Sequence, residues 1–179
     1  MIDSAVGADP GPATGLCFLE YSGGRLVGRT LVQATGDTAA HVLHAVLAYH
    51  HEVMRAGGSS FGRKAGSVEK FVTGRSAGSR GKPADVTRQL EMELAEVLQM
   101  FGYPVEIRPA ADVKPWASDK RLVAAGIVPS LKGMHGDMNH AYDGARHALY
   151  GARDAGIVQD PLLKAGKLVS KDDDEGATA

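Results

Sequence analysis

Cysteine is almost absent from this chain. Cys17 is the only one, so no internal disulfide can form. It lies in the apolar stretch LCFL and reads as a small buried thiol. Without a disulfide framework, a reducing cytoplasm is the expected compartment. Long apolar runs are missing too. None approaches the roughly 18–20 residues that span a bilayer, so no membrane association is expected. No basic segment followed by an apolar one opens the chain, so no signal peptide is expected. A large excess of one charge is also lacking. The formal net charge of −1 over 179 residues excludes a crude polycation that coats nucleic acid.

Average neutrality conceals a pattern. Residues 61–90 carry Arg63, Lys64, Lys70, Arg75, Arg80, Lys82 and Arg88 against only Glu69 and Asp85. The terminal stretch KDDDEGATA carries Lys171 against four acids. Clustered charge steers a polyanion more than net charge does.

The apolar periodicity predicts strands at 5–8, 14–21 and 25–33, with a hairpin turn at Ser22, Gly23 and Gly24. A helix over 37–56 follows, capped by Asp37 or Thr38. Val42, Val46 and Val53 share one of its faces, with Leu43 and Leu47 beside it. SVEKFV, 67–72, reads as a fourth strand. GRSAGSRGKP, 74–83, reads as a mobile loop. A helix over 85–102 presents Leu90, Leu94, Val97, Leu98 and Phe101 as one stripe, and Gly102 ends it. A short fifth strand at 104–110 and a short helix at 117–125 come next. The last helix, 139–156, carries Ala141, Gly144, Ala145, Ala148 and Gly151, small enough to pack closely on a sheet. This order predicts an α/β fold: a mixed five-stranded sheet with helices on both faces. Residues 1–156 form the expected domain. Residues 157–179 are expected to be a C-terminal extension, disordered at its acidic end.

Four positions stand out for chemistry. Asp9 ends the first strand, Glu69 lies in the fourth, and His140 and Asp143 are three apart on one face of the last helix. A mixed sheet can bring two strands and a packed helix to one cleft. Acids gathered there would repel one another unless a cation sat between them. Hard divalent metals prefer oxygen ligands, and two of them can clamp the attacking and leaving oxygens of a phosphodiester. Each residue also has a plainer reading. Asp9-Pro10-Gly11 can be a turn, Glu69 an exposed strand residue, His140 a helix-start residue and Asp143 a solvated helix acid.

GADPGPATG (7–15), SVEKF (67–71) and HAYDGARHAL (140–149), in this order, resemble the motifs of the RuvC family of Holliday-junction resolvases, with their RNase H-like fold. The resemblance spans about residues 5–155. It implies that Asp9, Glu69, His140 and Asp143 hold two divalent ions, Mg²⁺ or Mn²⁺. His140 stands where many members have Asp and some have His. The family also implies a homodimer that nicks two strands of a four-way junction symmetrically and leaves 5′-phosphates; forks and flaps are further possible substrates. Two departures are visible. The family has an aromatic residue after the strand-four acid, whereas Phe71 stands two residues after Glu69 and is not carried over. The Lys-rich segment before the last helix appears as VKPWASDKR, which contains Pro115 and Trp116. Expected phosphate contacts are Lys70, Arg75, Arg80 and Lys82 in the basic stretch, and Lys114, Lys120 and Arg121 in VKPWASDKR. The Ala- and Gly-rich composition suggests a GC-rich source, such as a bacterium or its phage.

Two other classes compete. A nucleotide-binding protein of the actin and sugar-kinase type shares the Asp-x-Gly hairpin, but this chain has no second copy of it. A non-catalytic DNA-binding protein could use the same fold. His41, His44, His50 and His51 look like a metal cluster, but their spacing does not suit a structural zinc site. His147, four residues after Asp143, can reach the same face and support the ligands from behind, but a surface position is the expected one. Trp116 can stack on a base or anchor a partly buried patch.

Overall fold

A computed structural model describes residues 1–36, 38–55, 61–72, 82–129 and 138–163. Its strands are β1 (Ile2–Asp9), β2 (Ala13–Ser22), β3 (Arg25–Thr35), β4 (Phe61–Lys70) and β5 (Val105–Pro109). Its helices are α1 (Ala39–Arg55), α2 (Lys82–Met100), α3 (Ala110–Val113), α4 (Asp119–Ala124) and α5 (Asn139–Asp154). The five strands form one sheet in the order β3-β2-β1-β4-β5. β1, β2 and β3 pair antiparallel; β4 runs parallel to both β1 and β5. The expected mixed sheet is therefore present.

The β2–β3 hairpin turns on Gly23 and Gly24, with φ of +56° and +77°. Two successive residues at positive φ match the right-handed twist of the strands, and glycine reaches that region without strain. β1 is the central strand. Its six inner residues are buried, so both of its faces are covered. Ala5 looks toward α4 and α5 with Cys17, Leu19 and Ala65. Val6 and Ala8 look toward α1 and α2 with Leu16, Phe18 and Val68. Helices thus cover both faces of the sheet. The stripe expected on α2 is the one it buries: Leu90, Leu94 and Leu98 are fully covered, and Val97 and Phe101 pack beside them.

Several boundaries differ from the sequence reading. β4 begins at Phe61 rather than 67, because its front half, FGRKAG, carries little apolar signal. Polar contacts hold it instead. Asp3 of β1 accepts from the backbone N–H and the guanidinium of Arg63. Gly66 must also be small, since a Cβ there would stand 2.8 Å from Val105. α3 is an additional short helix after β5. Of the two caps expected for α1, Asp37 lies outside the described residues. The boundary expected at 156 falls just before Ile157, which is buried in the α5-side core, while Asp160 pairs with Arg121. The packed body therefore continues past 156. The acidic tail and most of the 74–83 loop lie outside the described residues.

α5 rests on the sheet almost backbone to backbone. A Cβ at Gly7 would lie 2.1 Å from Gly144 O and Ala148 N, and one at Gly15 would lie 1.9 Å from His140. The small residues of α5 thus meet glycines of β1 and β2. That contact sets the start of α5 against the end of β1.

Candidate active site

β1 and β4 run parallel, so their C-terminal ends share one edge of the sheet. The register Ala8↔Val68 puts Asp9 beside Glu69. Strand alternation turns both toward the face that α5 covers. Asp9 is both turn and strand tip. Just beyond it, Thr14 Oγ1 donates to Gly11 O at 2.7 Å and accepts from Gly11 N–H at 3.3 Å, closing the Pro10-Gly11 turn. His41, at the start of α1, holds the same hydroxyl at 3.3 Å.

α5 supplies the opposite side. His140 Nδ1 hydrogen-bonds Asp9 Oδ2 at 2.6 Å. Asp143, one turn on, receives two cations: Lys114 Nζ at 3.1 Å and Arg146 Nη1 at 2.5 Å. Arg146 also pairs with Asp119 of α4. Lys114 reaches across to Glu69 Oε2 at 3.9 Å. The acids share one electrostatic field. Burial pushes the Asp9 carboxyl up to about 6, and the charges of Glu69 and, more weakly, Asp143 push the same way against the His140 hydrogen bond.

The four residues chosen from the sequence thus lie around one edge of the sheet. The expected phosphate contacts are dispersed. Lys70 is exposed at the end of β4, directly after Glu69, and Lys120 is exposed on α4. Lys114 lies among the acids themselves. Arg121 faces inward: its guanidinium donates to both oxygens of Asp160 and to Trp116 O. Arg75 and Arg80 lie outside the described residues, as does the side chain of Lys82.

Arg146, beside the site, has no role in the sequence reading. His147 is not at the surface, the position expected for it, but fully buried between Ser67 and Glu69. A signal existed, because His147 follows Gly144 by three residues and precedes Gly151 by four, which puts it on the small-residue stripe that meets the sheet. Trp116 is an anchor. It packs against the α5-side core with its edge to Tyr150, under Arg121 and Arg153. The early histidines separate: His50 stacks on Phe101 at 4.6 Å, while His41 serves the Thr14 turn.

The donor set fits a hard divalent cation. Asp9, Glu69 and Asp143 supply carboxylate oxygens, and Glu69 Oε2 is buried with no hydrogen-bond partner among the described residues. As the side chains stand, with Asp143 taken by Lys114 and Arg146, no three His, Cys, Asp or Glu among the described residues are grouped to hold a metal. Lysine and arginine supply the positive charge beside these acids.

No protein-family profile and no curated protein matches the chain. Solved structures do. Thermus thermophilus RuvC in complex with a Holliday junction substrate is 19% identical, with a TM-score of 0.53 over 88% of this chain and 98% of that one. Thermus thermophilus RuvC alone is 20% identical, with a TM-score of 0.49 over 89% and 99%. An ROK hexokinase from Thermus thermophilus is 18% identical, with a TM-score of 0.41 over 64% of this chain and 37% of that one. The sheet order and the helices on its two faces define an RNase H-like α/β fold. Within that class, the fold is RuvC-like.

Proposed function

We propose that this chain is a metal-dependent, structure-specific endonuclease that hydrolyses phosphodiester bonds in branched DNA, as a crossover junction endodeoxyribonuclease does. One observation carries the reading. Asp9 and Glu69 end adjacent parallel strands and face His140 and Asp143 across the start of α5, with the Asp9 carboxyl raised by burial first and by its acidic neighbours second.

In this reading Asp9 would serve two Mg²⁺ or Mn²⁺ ions, and Glu69 and Asp143 would each complete one site. The chemistry such ions would supply is stabilisation of the attacking and leaving oxygens of an in-line displacement. His140 acts through the nitrogen that faces Asp9, either as a ligand or as the group that orients the attacking water. Lys114, beside Glu69 and Asp143, is placed to exchange its carboxylate contacts for a phosphate oxygen. Lys70 and Lys120 extend positive charge from the site; Arg75, Arg80 and Lys82 are phosphate contacts proposed from the sequence alone. The similar RuvC structure holds a Holliday junction, which supports a four-way junction as the substrate; a homodimer would present two such sites to it.

The test is a substrate panel of four-way junction, fork, flap and duplex, titrated with Mg²⁺ and Mn²⁺, with product mapping. Paired nicks with 5′-phosphates in the junction are expected. Junction binding without cleavage in either metal would favour a non-catalytic protein. ATP hydrolysis would favour the actin and sugar-kinase class.

A further inference from the structure

One group beside the site has no part in the chemistry described so far. His147 is fully buried on α5. Its Nδ1 lies 3.0 Å from the hydroxyl of Ser67, also fully buried, and its Nε2 lies 3.4 Å from Glu69 Oε2. Ser67 and Glu69 are two residues apart on β4 and share the face that α5 covers. Both Nε2 of His147 and Oε2 of Glu69 are buried with no hydrogen-bond partner among the described residues. Two such orphans facing each other are a few tenths of an ångström beyond the usual 2.7–3.2 Å bond, and a small side-chain movement closes the gap.

The chemistry of the partners decides which nitrogen carries the hydrogen. A carboxylate oxygen can only accept, so a bare ring nitrogen pointed at it would be repelled. The hydrogen therefore belongs on Nε2, and Nδ1 accepts from the Ser67 hydroxyl. We propose that His147 is a positioning residue for Glu69. Ser67 sets the ring, and Nε2–H holds Oε2 so that the carboxylate keeps one rotation toward Asp9 and its cation. Lys114 also approaches Oε2, but from an exposed and flexible side chain. The buried imidazole is the contact that persists when Lys114 moves to a phosphate.

The rate measurement below rests on the nuclease reading and the Mn²⁺ measurement on its metal site, whereas the tautomer measurement rests on neither. The first test uses the unaltered protein: nitrogen-15 NMR of the histidine rings, with His147 assigned by its loss in His147→Gln. The hydrogen is expected on Nε2; a hydrogen on Nδ1 with a bare Nε2 overturns the proposal. The second compares Mn²⁺ binding, by calorimetry without DNA, in the parent, His147→Leu and His147→Gln. Leucine is expected to weaken Mn²⁺ binding by about ten- to a hundredfold, the usual effect of removing a group that orients a ligand. Glutamine, whose amide N–H₂ reaches the Nε2 position, is expected to restore most of it. In the third, kcat on a four-way junction falls in the leucine variant, while junction affinity in chelator stays at the parent value.

Parent-like Mn²⁺ binding by a folded leucine variant overturns the proposal. If leucine prevents folding, the tautomer and the glutamine variant decide: glutamine binding Mn²⁺ as weakly as an Asp9→Asn control would sink it. A parent that binds Mn²⁺ but cuts nothing in the panel removes the nuclease reading and leaves His147 to be judged on the first two measurements.

Discussion

His140 Nδ1 lies 2.6 Å from Asp9 Oδ2, although 131 positions separate the two in the chain. The contact exists because α5 lies on glycines of β1 and β2, so its first turn meets the strand tip. It pairs an imidazole with a carboxylate that is costly to keep charged. Burial and the neighbouring Glu69 raise that carboxyl to about 6, and His140 offsets only part of the rise.

Asp9→Asn should abolish cutting and stabilise the protein. An aspartate whose carboxyl rises from 3.8 to about 6 on folding binds more protons folded than unfolded between those values. Its contribution to stability therefore falls as pH rises from about 4 to about 6 and stays low above. A shift of this size is on the order of 2–3 kcal/mol. In chelator at pH 8, urea unfolding should find Asp9→Asn the more stable protein, and the difference should shrink toward pH 4. A variant less stable than the parent at pH 8 would mean that burial and the neighbouring Glu69 do not destabilise the Asp9 carboxylate.

His140 should set the choice of metal. Imidazole nitrogen is softer than carboxylate oxygen, and Mn²⁺ tolerates nitrogen better than Mg²⁺ does. The parent should cut well in Mn²⁺. His140→Asp should keep cutting and shift toward Mg²⁺, while His140→Ala should lose most of its rate in both. Initial rates on one junction in each metal decide this. An alanine variant that cuts like the parent removes His140 from the site.

Gly15→Ala should damage stability and site together. Its Cβ would stand 1.9 Å from backbone atoms of His140, and backbone cannot swing aside as a side chain can. Overpacking of this kind costs roughly 1–3 kcal/mol or more. Thermal unfolding should show a fall of several degrees, with cutting lost. Gly11→Ala is the control, because its nearest neighbour would be Ala13 O at 3.8 Å and its stability should match the parent's. Equal midpoints for Gly15→Ala and Gly11→Ala would contradict the tight seating of α5.

Lys70 and Lys120 should act through phosphates. Each lost contact should reduce the slope of log affinity against log salt by roughly 0.9. The double alanine variant should bind a four-way junction more weakly and with a slope lower by about 2. Fluorescence anisotropy in chelator across a salt series measures it. An unchanged slope would take both residues off the DNA path.

Much of this protein follows from local pattern. Short apolar runs bounded by turn residues mark β1, β2 and β3, helical spacing marks the buried stripe of α2, and the run of Ala and Gly marks α5 as a helix that must press on something flat. Asp9, Glu69, His140 and Asp143 were visible because strand ends and helix faces are local properties. What those faces meet is not local. β4 escaped in its first half because FGRKAG, with two glycines and few apolar side chains, is held by the pairing of Arg63 with Asp3 and by the close seating of Gly66 against Val105. Arg121 looked like a phosphate contact until Asp160 occupied its guanidinium, and Lys114 turned out to stand among the acids. His147 is the sharpest case. Its position on the α5 stripe follows from helical spacing, but only the packing of that stripe onto β4 buries it between Ser67 and Glu69. Periodicity determines which residues share a face; long-range packing decides which groups meet across it, and thereby which charges are left without water.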